Sequence, residues 1–246
     1  MRLLLISNST RYGGGYLDHC ADAISSFLGP SVRRVAFVPD AVFDREAYDS
    51  KARARFEKMG LRIESVHDTP FDAHVREGYR LAQAKAAQAI EEADALFIGG
   101  GNTFRLIDAL WRHNVIAAIR RRVLAGMPYI GSSAGSNVAC PTIKTTNDMP
   151  IVHPATLEAL DLVPFQINPH YLDPIPGSTH MGETREERIL EFHEENSAPV
   201  VGLREGAWLL VDGATVALGG STGARVFRRG EAPVEFASGS RLDFLF

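Results

Sequence analysis

The sequence predicts an α/β fold: a mostly parallel sheet flanked by helices, with a β-rich C-terminal portion. Three observations carry this expectation. Short, wholly apolar runs alternate with helix-length segments from the N-terminus to Gly131, which is the pattern of βαβ units. Two of those runs lead straight into glycine-rich loops, Gly99-Gly100-Gly101-Asn102-Thr103 and Gly131-Ser132-Ser133-Ala134-Gly135. Strands do this at the carboxyl edge of an open sheet, where ligands bind. From residue 200 onward, strand-length apolar segments are divided by turn residues, and these read as short additional strands.

Residues 3–7 read as a buried strand, followed by a loop through Gly13-Gly14-Gly15 and a helix over 17–28 that Gly29-Pro30 stops. Residues 32–39 form a second strand, 44–59 a helix ended by Gly60, and 61–67 a third strand. An alanine-rich helix over 79–93 precedes a strand at 94–98, which enters the first glycine loop. One long helix is expected over 104–125, ended by Gly126, then a strand over 128–131. Pro141 cuts the next helix short, and 142–162 reads as mostly loop. Residues 166–170 approach a strand end, and Thr184-Arg185-Glu186-Glu187 has capping-box spacing for a helix to about Glu195. Residues 200–203 are a strand, and Asp212-Gly213 marks a hairpin between 208–211 and 215–218. Short strands follow at 225–228 and 234–237. With no linker, repeat or low-complexity stretch, residues 1–246 are expected to form one domain.

Composition narrows the function. A chain of 246 residues, 45% hydrophobic and 23% charged, can bury one sizeable core. A net charge of −4 gives no basic footprint for nucleic acid. The 8 histidines lack metal-ligand spacing, so no metal is expected. Cys20 and Cys140 form no disulfide framework and suit a reducing compartment; Cys140, just before Pro141, reads as structural. The apolar N-terminus is too short for a signal peptide, and no stretch has membrane-spanning length. A cytoplasmic protein without a membrane partner is expected.

Ser133 has glycine two positions away on both sides, the pattern of a nucleophile elbow, in which small neighbours let a strand reverse into a helix around an exposed hydroxyl. The alternative is a glycine-rich turn without chemistry. A nucleophilic serine needs a base and the base an orienting carboxylate. His19, His113 and His193 fall in helical segments, His67 at a strand end, and His153 and His180 in loops. His170 is the best base, fixed behind Asn168-Pro169. Asp148 and Glu205 compete as orienter, and chain order does not choose between them. The 99–103 loop reads either as a phosphate cradle or as an oxyanion loop. Phe104 breaks Gly-x-Gly-x-x-Gly, and the neighbouring elbow favours the oxyanion reading.

These residues, in order along nearly the whole chain, resemble the peptidase E family, the aspartyl dipeptidases among the S51 serine peptidases. The resemblance rests on Leu3-Leu4-Leu5-Ile6-Ser7-Asn8-Ser9-Thr10, Gly99-Gly100-Gly101-Asn102-Thr103-Phe104, Ser133-Ala134-Gly135 and Ala139-Cys140-Pro141-Thr142-Ile143. It continues through Thr145-Thr146-Asn147-Asp148-Met149-Pro150-Ile151-Val152, Gln166-Ile167-Asn168-Pro169-His170, Gly182-Glu183-Thr184-Arg185-Glu186 and Gly202-Leu203-Arg204-Glu205-Gly206. It implies a fold of the class I glutamine amidotransferase-like, flavodoxin-like kind, with serine in place of the nucleophilic cysteine. It implies cofactor-free hydrolysis of dipeptides that begin with aspartate, so the partner is a small peptide. Carried over by motif, Ser133 is the nucleophile, His170 the base and Glu205 the orienter; Gly101 and Ala134 supply oxyanion N–H groups. Asp148 and Asn102 become supporting substrate-site residues. Arg185 is expected to read the substrate's aspartate side chain, with Arg204 the alternative.

Two departures from the family pattern stand out. Ser132 occupies a position where the family often has tryptophan, which is expected to reshape the pocket wall. The stretch 68–93 is longer by about one helix, and is expected to cover the site or build a homodimer contact. The rival readings are a cyanophycinase-like hydrolase of aspartyl-arginine substrates and a non-catalytic nucleotide-binding module using the 99–103 loop.

Overall fold

The computed structural model describes residues 1–66, 76–174, 177, 179 and 181–246. Its main sheet has 7 strands, in the order β3 (Arg62–Ser65), β2 (Arg34–Val38), β4 (Ala95–Ile98), β5 (Tyr129–Ser132), β1 (Arg2–Ile6), β8 (Ala207–Asp212), β9 (Thr215–Gly220). The first five in that order run parallel, and β8 and β9 extend the sheet antiparallel beyond β1. A second sheet of 4 strands has the order β11 (Val234–Phe236), β10 (Ala224–Phe227), β7 (Val200–Arg204), β6 (Gln166–Tyr171). The β-rich C-terminal portion is thus divided: one hairpin widens the main sheet and the remaining strands build another.

Strand alternation sorts the core. Leu4 and Ile6 face one side with Phe37, Phe97 and Ile130, covered by α1 (Ala21–Leu28) and α2 (Arg45–Lys58) through Ile24, Phe27 and Phe56. Leu3 and Leu5 face the other side with Ile98 and Tyr129, covered by α3 (Arg76–Glu92), α4 (Thr103–Arg112) and α5 (Ile116–Leu124). Val201, Leu203 and Val226 of the second sheet join that same core, so the two sheets share it. Ile189 of α7 (Arg185–Glu195) packs on the far face of the second sheet with Tyr171, Val200 and Phe227.

Helix ends follow local chemistry. Gly60 and Gly126 take φ of 74° and 111° and end α2 and α5 as the sequence predicts. The expected single helix over 104–125 is two helices. Asn114 takes φ 55°, its N–H donates to the Trp111 carbonyl (3.0 Å) and the Val115 N–H to that of Leu110 (3.2 Å). That is a Schellman stop built on asparagine, the residue after glycine most tolerant of this conformation. Of the stretch 68–93, residues 76–92 form α3, and the rest up to residue 75, with His67 and His180, lies outside the described residues. Among the described residues no helix is long and apolar enough to cross a membrane.

Candidate active site

Ser133 stands between β5 and the short helix α6 (Ala134–Asn137), with φ 53° and ψ −110°, a region rarely occupied by residues with a side chain. A Cβ on Gly131 would lie 2.5 Å from the Gly135 carbonyl oxygen, and one on Gly135 would overlap that of Ile98. The elbow therefore needs both glycines. The Ser133 N–H donates to the Ile6 carbonyl at 2.9 Å, and its own carbonyl accepts from Ser136 (2.9 Å) and Asn137 (3.0 Å). The strained residue is held from both sides.

His170 reaches the serine from the second sheet. β6 keeps register with β7 through Pro169 opposite Leu203, then slips so that Tyr171 faces Arg204. His170 sits in this bulge with φ 52°, and bulges re-aim side chains in this way. Its N–H donates to Ser7 Oγ at 2.9 Å, and the Ser7 hydroxyl donates to the Leu203 carbonyl at 2.8 Å. Nε2 of His170 lies 2.9 Å from Ser133 Oγ, and Nδ1 lies 2.6 Å from Glu205 Oε1. A neutral imidazole fits this chain: Nδ1–H donates to the carboxylate and Nε2 accepts the serine proton. Glu205 leaves β7 at a turn fixed by the Gly206 N–H on Asn8 Oδ1 (2.8 Å) and the Thr222 hydroxyl on the Glu205 carbonyl (2.8 Å).

The glycine loop lies against the elbow: a Cβ on Gly100 would be 3.0 Å from Ser133 Cβ. Its backbone donors are tied one by one. The N–H of Gly99 goes to the Val38 carbonyl (3.2 Å), that of Gly100 to Tyr48 Oη (2.8 Å), and that of Asn102 to the Ala41 carbonyl (2.7 Å). The N–H of Gly101 has no partner among the described residues. Gly101 has φ 139°, and a Cβ there would lie 2.5 Å from the Ala41 oxygen, so only glycine fits. The Ala134 N–H opens α6 and has no acceptor within that helix.

Asp148 is not on the histidine. Its Oδ2 accepts from the Thr103 N–H (2.7 Å), the Thr103 hydroxyl (2.6 Å) and the Thr146 hydroxyl (3.2 Å). Asn102 caps α4, its Oδ1 accepting from Arg105 N–H at 3.1 Å while Nδ2 donates to the Met149 carbonyl at 2.9 Å. Both residues thus lock the start of α4 to the 145–149 loop.

Arg185 opens α7 half-buried, and among the described residues it has no hydrogen bond or ion pair. Its two acidic neighbours are engaged elsewhere. Glu186 pairs with Arg225 at 3.0 Å, and Glu187 completes the capping box with Thr184. Burial, then the charge of Arg188, pulls the Arg185 pKa below the usual arginine range, while Asp148 opposes this from nearby. Arg204 is held between two carboxylates. It donates to both oxygens of Asp173 (2.7 and 2.6 Å) and of Glu235 (2.9 and 3.0 Å), which raises its pKa.

Ser132 does not line a pocket wall. It is 0% exposed, and its Oγ is buried with no hydrogen-bond partner among the described residues. Alternation in β5 puts it on the face of Ile130, away from Gly131. Removing an unsatisfied buried hydroxyl relieves a cost of about 1 kcal/mol. Ser132→Ala is therefore expected to raise the melting temperature by roughly 2–4 °C and to leave substrate selectivity unchanged; thermal melts and a paired-substrate assay check this.

Both cysteines are free and buried, and burial pushes the Cys20 thiol up to about 12 and raises that of Cys140 further. Among the described residues no cluster of histidine, cysteine or carboxylate could hold a metal. Two contributors were given no role by the sequence reading: Ser7, which lies in a family-matching stretch and pins the histidine backbone, and Tyr48, which pins the glycine loop. Each acts across a long separation in the chain.

A parallel α/β sheet whose carboxyl edge carries a serine, joined in one hydrogen-bonded chain to a histidine and a carboxylate from a second sheet, is the arrangement of a serine hydrolase. The chain belongs to peptidase family S51, whose model matches residues 3–219. It is 52% identical over 245 residues to peptidase E of Streptomyces coelicolor, covering 100% of this chain and 95% of the relative. It is 43% identical over 245 residues to a Drosophila melanogaster protein named "probable alpha-aspartyl dipeptidase", covering 99% and 96%. Among solved structures, a peptidase from an acI-B1 Actinobacterium superposes with TM-score 0.71 over 98% of this chain and 96% of that one, at 14% identity. That last likeness concerns the fold.

Proposed function

We propose that this chain is a serine-type dipeptidase that hydrolyses dipeptides with N-terminal aspartate through an acyl-enzyme, residues 1–246 acting as one peptidase domain. The uninterrupted chain Ser133–His170–Glu205 carries the reading. The family relatives named peptidase E and alpha-aspartyl dipeptidase support the substrate class. Ser133 Oγ attacks the carbonyl carbon of the first residue while Nε2 of His170 takes its proton. The N–H groups of Gly101 and Ala134 receive the oxyanion, each worth roughly 2.7–4 kcal/mol in the transition state. His170 then returns the proton to the departing amine, the C–N bond breaks, and water, activated by the same imidazole, releases aspartate from Ser133.

Arg185 reads the substrate's side-chain carboxylate. A half-buried guanidinium without a counter-ion favours an incoming anion, and its planar fork can bind both carboxylate oxygens. Arg204 is unsuited because Asp173 and Glu235 already pair with its charge. Arg185→Met is expected to cut kcat/KM on Asp-Leu by roughly 10²-fold. It should have far less effect on slow hydrolysis of Asn-Leu, where no ion pair is lost. Equal losses on both would move the reader elsewhere. In the same assay, cleavage of β-aspartyl-arginine but not Asp-Leu would overturn the dipeptidase reading.

A further inference from the structure

We infer that Tyr48 is a positioning residue for the oxyanion: its hydroxyl fixes the glycine loop so that the Gly101 N–H is held where negative charge develops. This rests on the role of Gly101 proposed above. The peptide that offers the Gly101 N–H lies between two fastened ones. On one side the Gly100 N–H donates to Tyr48 Oη at 2.8 Å, and on the other the Asn102 N–H donates to the Ala41 carbonyl at 2.7 Å. Among the described residues the first fastening is the only one of the 99–102 backbone made to a side chain, so it is the one a single substitution can remove.

Tyr48 is itself built in. Its ring meets Phe37 edge-on with centroids 5.3 Å apart and Tyr16 edge-on at 5.9 Å. The Tyr16 hydroxyl donates to Tyr48 Oη at 3.1 Å, so that oxygen accepts two hydrogen bonds. The contact with the loop is close enough that a Cβ on Gly99 would collide with the Tyr48 hydroxyl. Burial raises both phenol pKa values, so each hydroxyl stays protonated where the peptidase works. A donor aimed in advance stabilises an oxyanion without reorganisation, and a small misplacement is enough to lose most of that benefit.

Tyr48→Phe keeps the ring and deletes the acceptor. On Asp-Leu, kcat is expected to fall by roughly 10–100-fold with KM within about threefold of wild type, because the lost alignment is felt in the transition state. Acylation of Ser133 by p-nitrophenyl acetate, which needs the oxyanion donors but no aspartate pocket, should slow by a similar factor. Tyr16→Phe, which removes one of the two bonds to Tyr48, should shift both rates in the same direction by less, and it decides the matter if Tyr48→Phe melts far below wild type. Wild-type rates for both substrates, or a loss confined to KM, would overturn the inference. If wild-type protein acylates with the ester but leaves Asp-Leu intact, the substrate reading falls, and the ester rates alone still judge Tyr48.

Discussion

Ser133→Ala is expected to lower kcat on Asp-Leu by about 10⁴–10⁶-fold, the scale seen when a nucleophile is removed from a coupled serine–histidine pair. The melting temperature should not move, because alanine keeps the Cβ and the elbow's backbone bonds come from Ile6, Ser136 and Asn137 rather than the hydroxyl. Ser133→Gly sharpens the test. It should be equally inactive yet melt higher, since φ 53° and ψ −110° strain any residue with a side chain. The gain should be about 1 kcal/mol, or roughly 2–4 °C for a chain of this size. Covalent labelling by phenylmethylsulfonyl fluoride should fall on Ser133. A label on Ser132 would refute the assignment, and its complete burial makes that outcome physically awkward.

Glu205→Gln should cost about 10²–10⁴-fold in kcat with little change in melting temperature. The carboxylate accepts the Nδ1–H at 2.6 Å and so holds the imidazole in the tautomer whose Nε2 can take the serine proton. An amide can donate to Nδ1 instead, which puts the ring proton on Nε2 and blocks that acceptance. The pair is half-exposed, so its removal barely touches folding. Asp148→Asn should show the opposite balance, because Asp148 holds the start of α4 through Thr103. Its main effect is expected on the melting temperature. A Glu205→Gln enzyme within tenfold of wild type, together with a dead but stable Asp148→Asn, would exchange the two roles.

Much of this was legible in local sequence because local chemistry decided it. Gly60 and Gly126 stop helices through φ values that glycine alone adopts easily. Thr184 and Glu187 form the capping box that their spacing announces. Gly131 and Gly135 flank the elbow because a Cβ at either has nowhere to go. What escaped was decided by distance. The break at Asn114 lacks glycine or proline, and its Schellman bonds appear only once the backbone is in place. The division of the C-terminal strands between two sheets depends on β8 pairing with β1 across most of the chain. Alternation in β5 could have placed Ser132 inside; the neighbouring motif drew the reading toward the pocket instead. Ser7 and Tyr48 act on residues 163 and 52 positions away, and no pattern in a single sequence reports such a pairing.

The nucleophile hangs from one sheet, while its base and carboxylate hang from the other. Ser7, at the end of β1, is the rivet between them. The enzyme therefore cannot be switched on piecemeal. An intermediate with only the main sheet assembled has a serine but no base, and one with only the second sheet has the reverse. Peptide cleavage becomes a reporter of whether the seam has closed, and because the two sheets share one core it should vanish over the same urea range as the secondary-structure signal. A newly made chain is thereby kept inert until both halves have met.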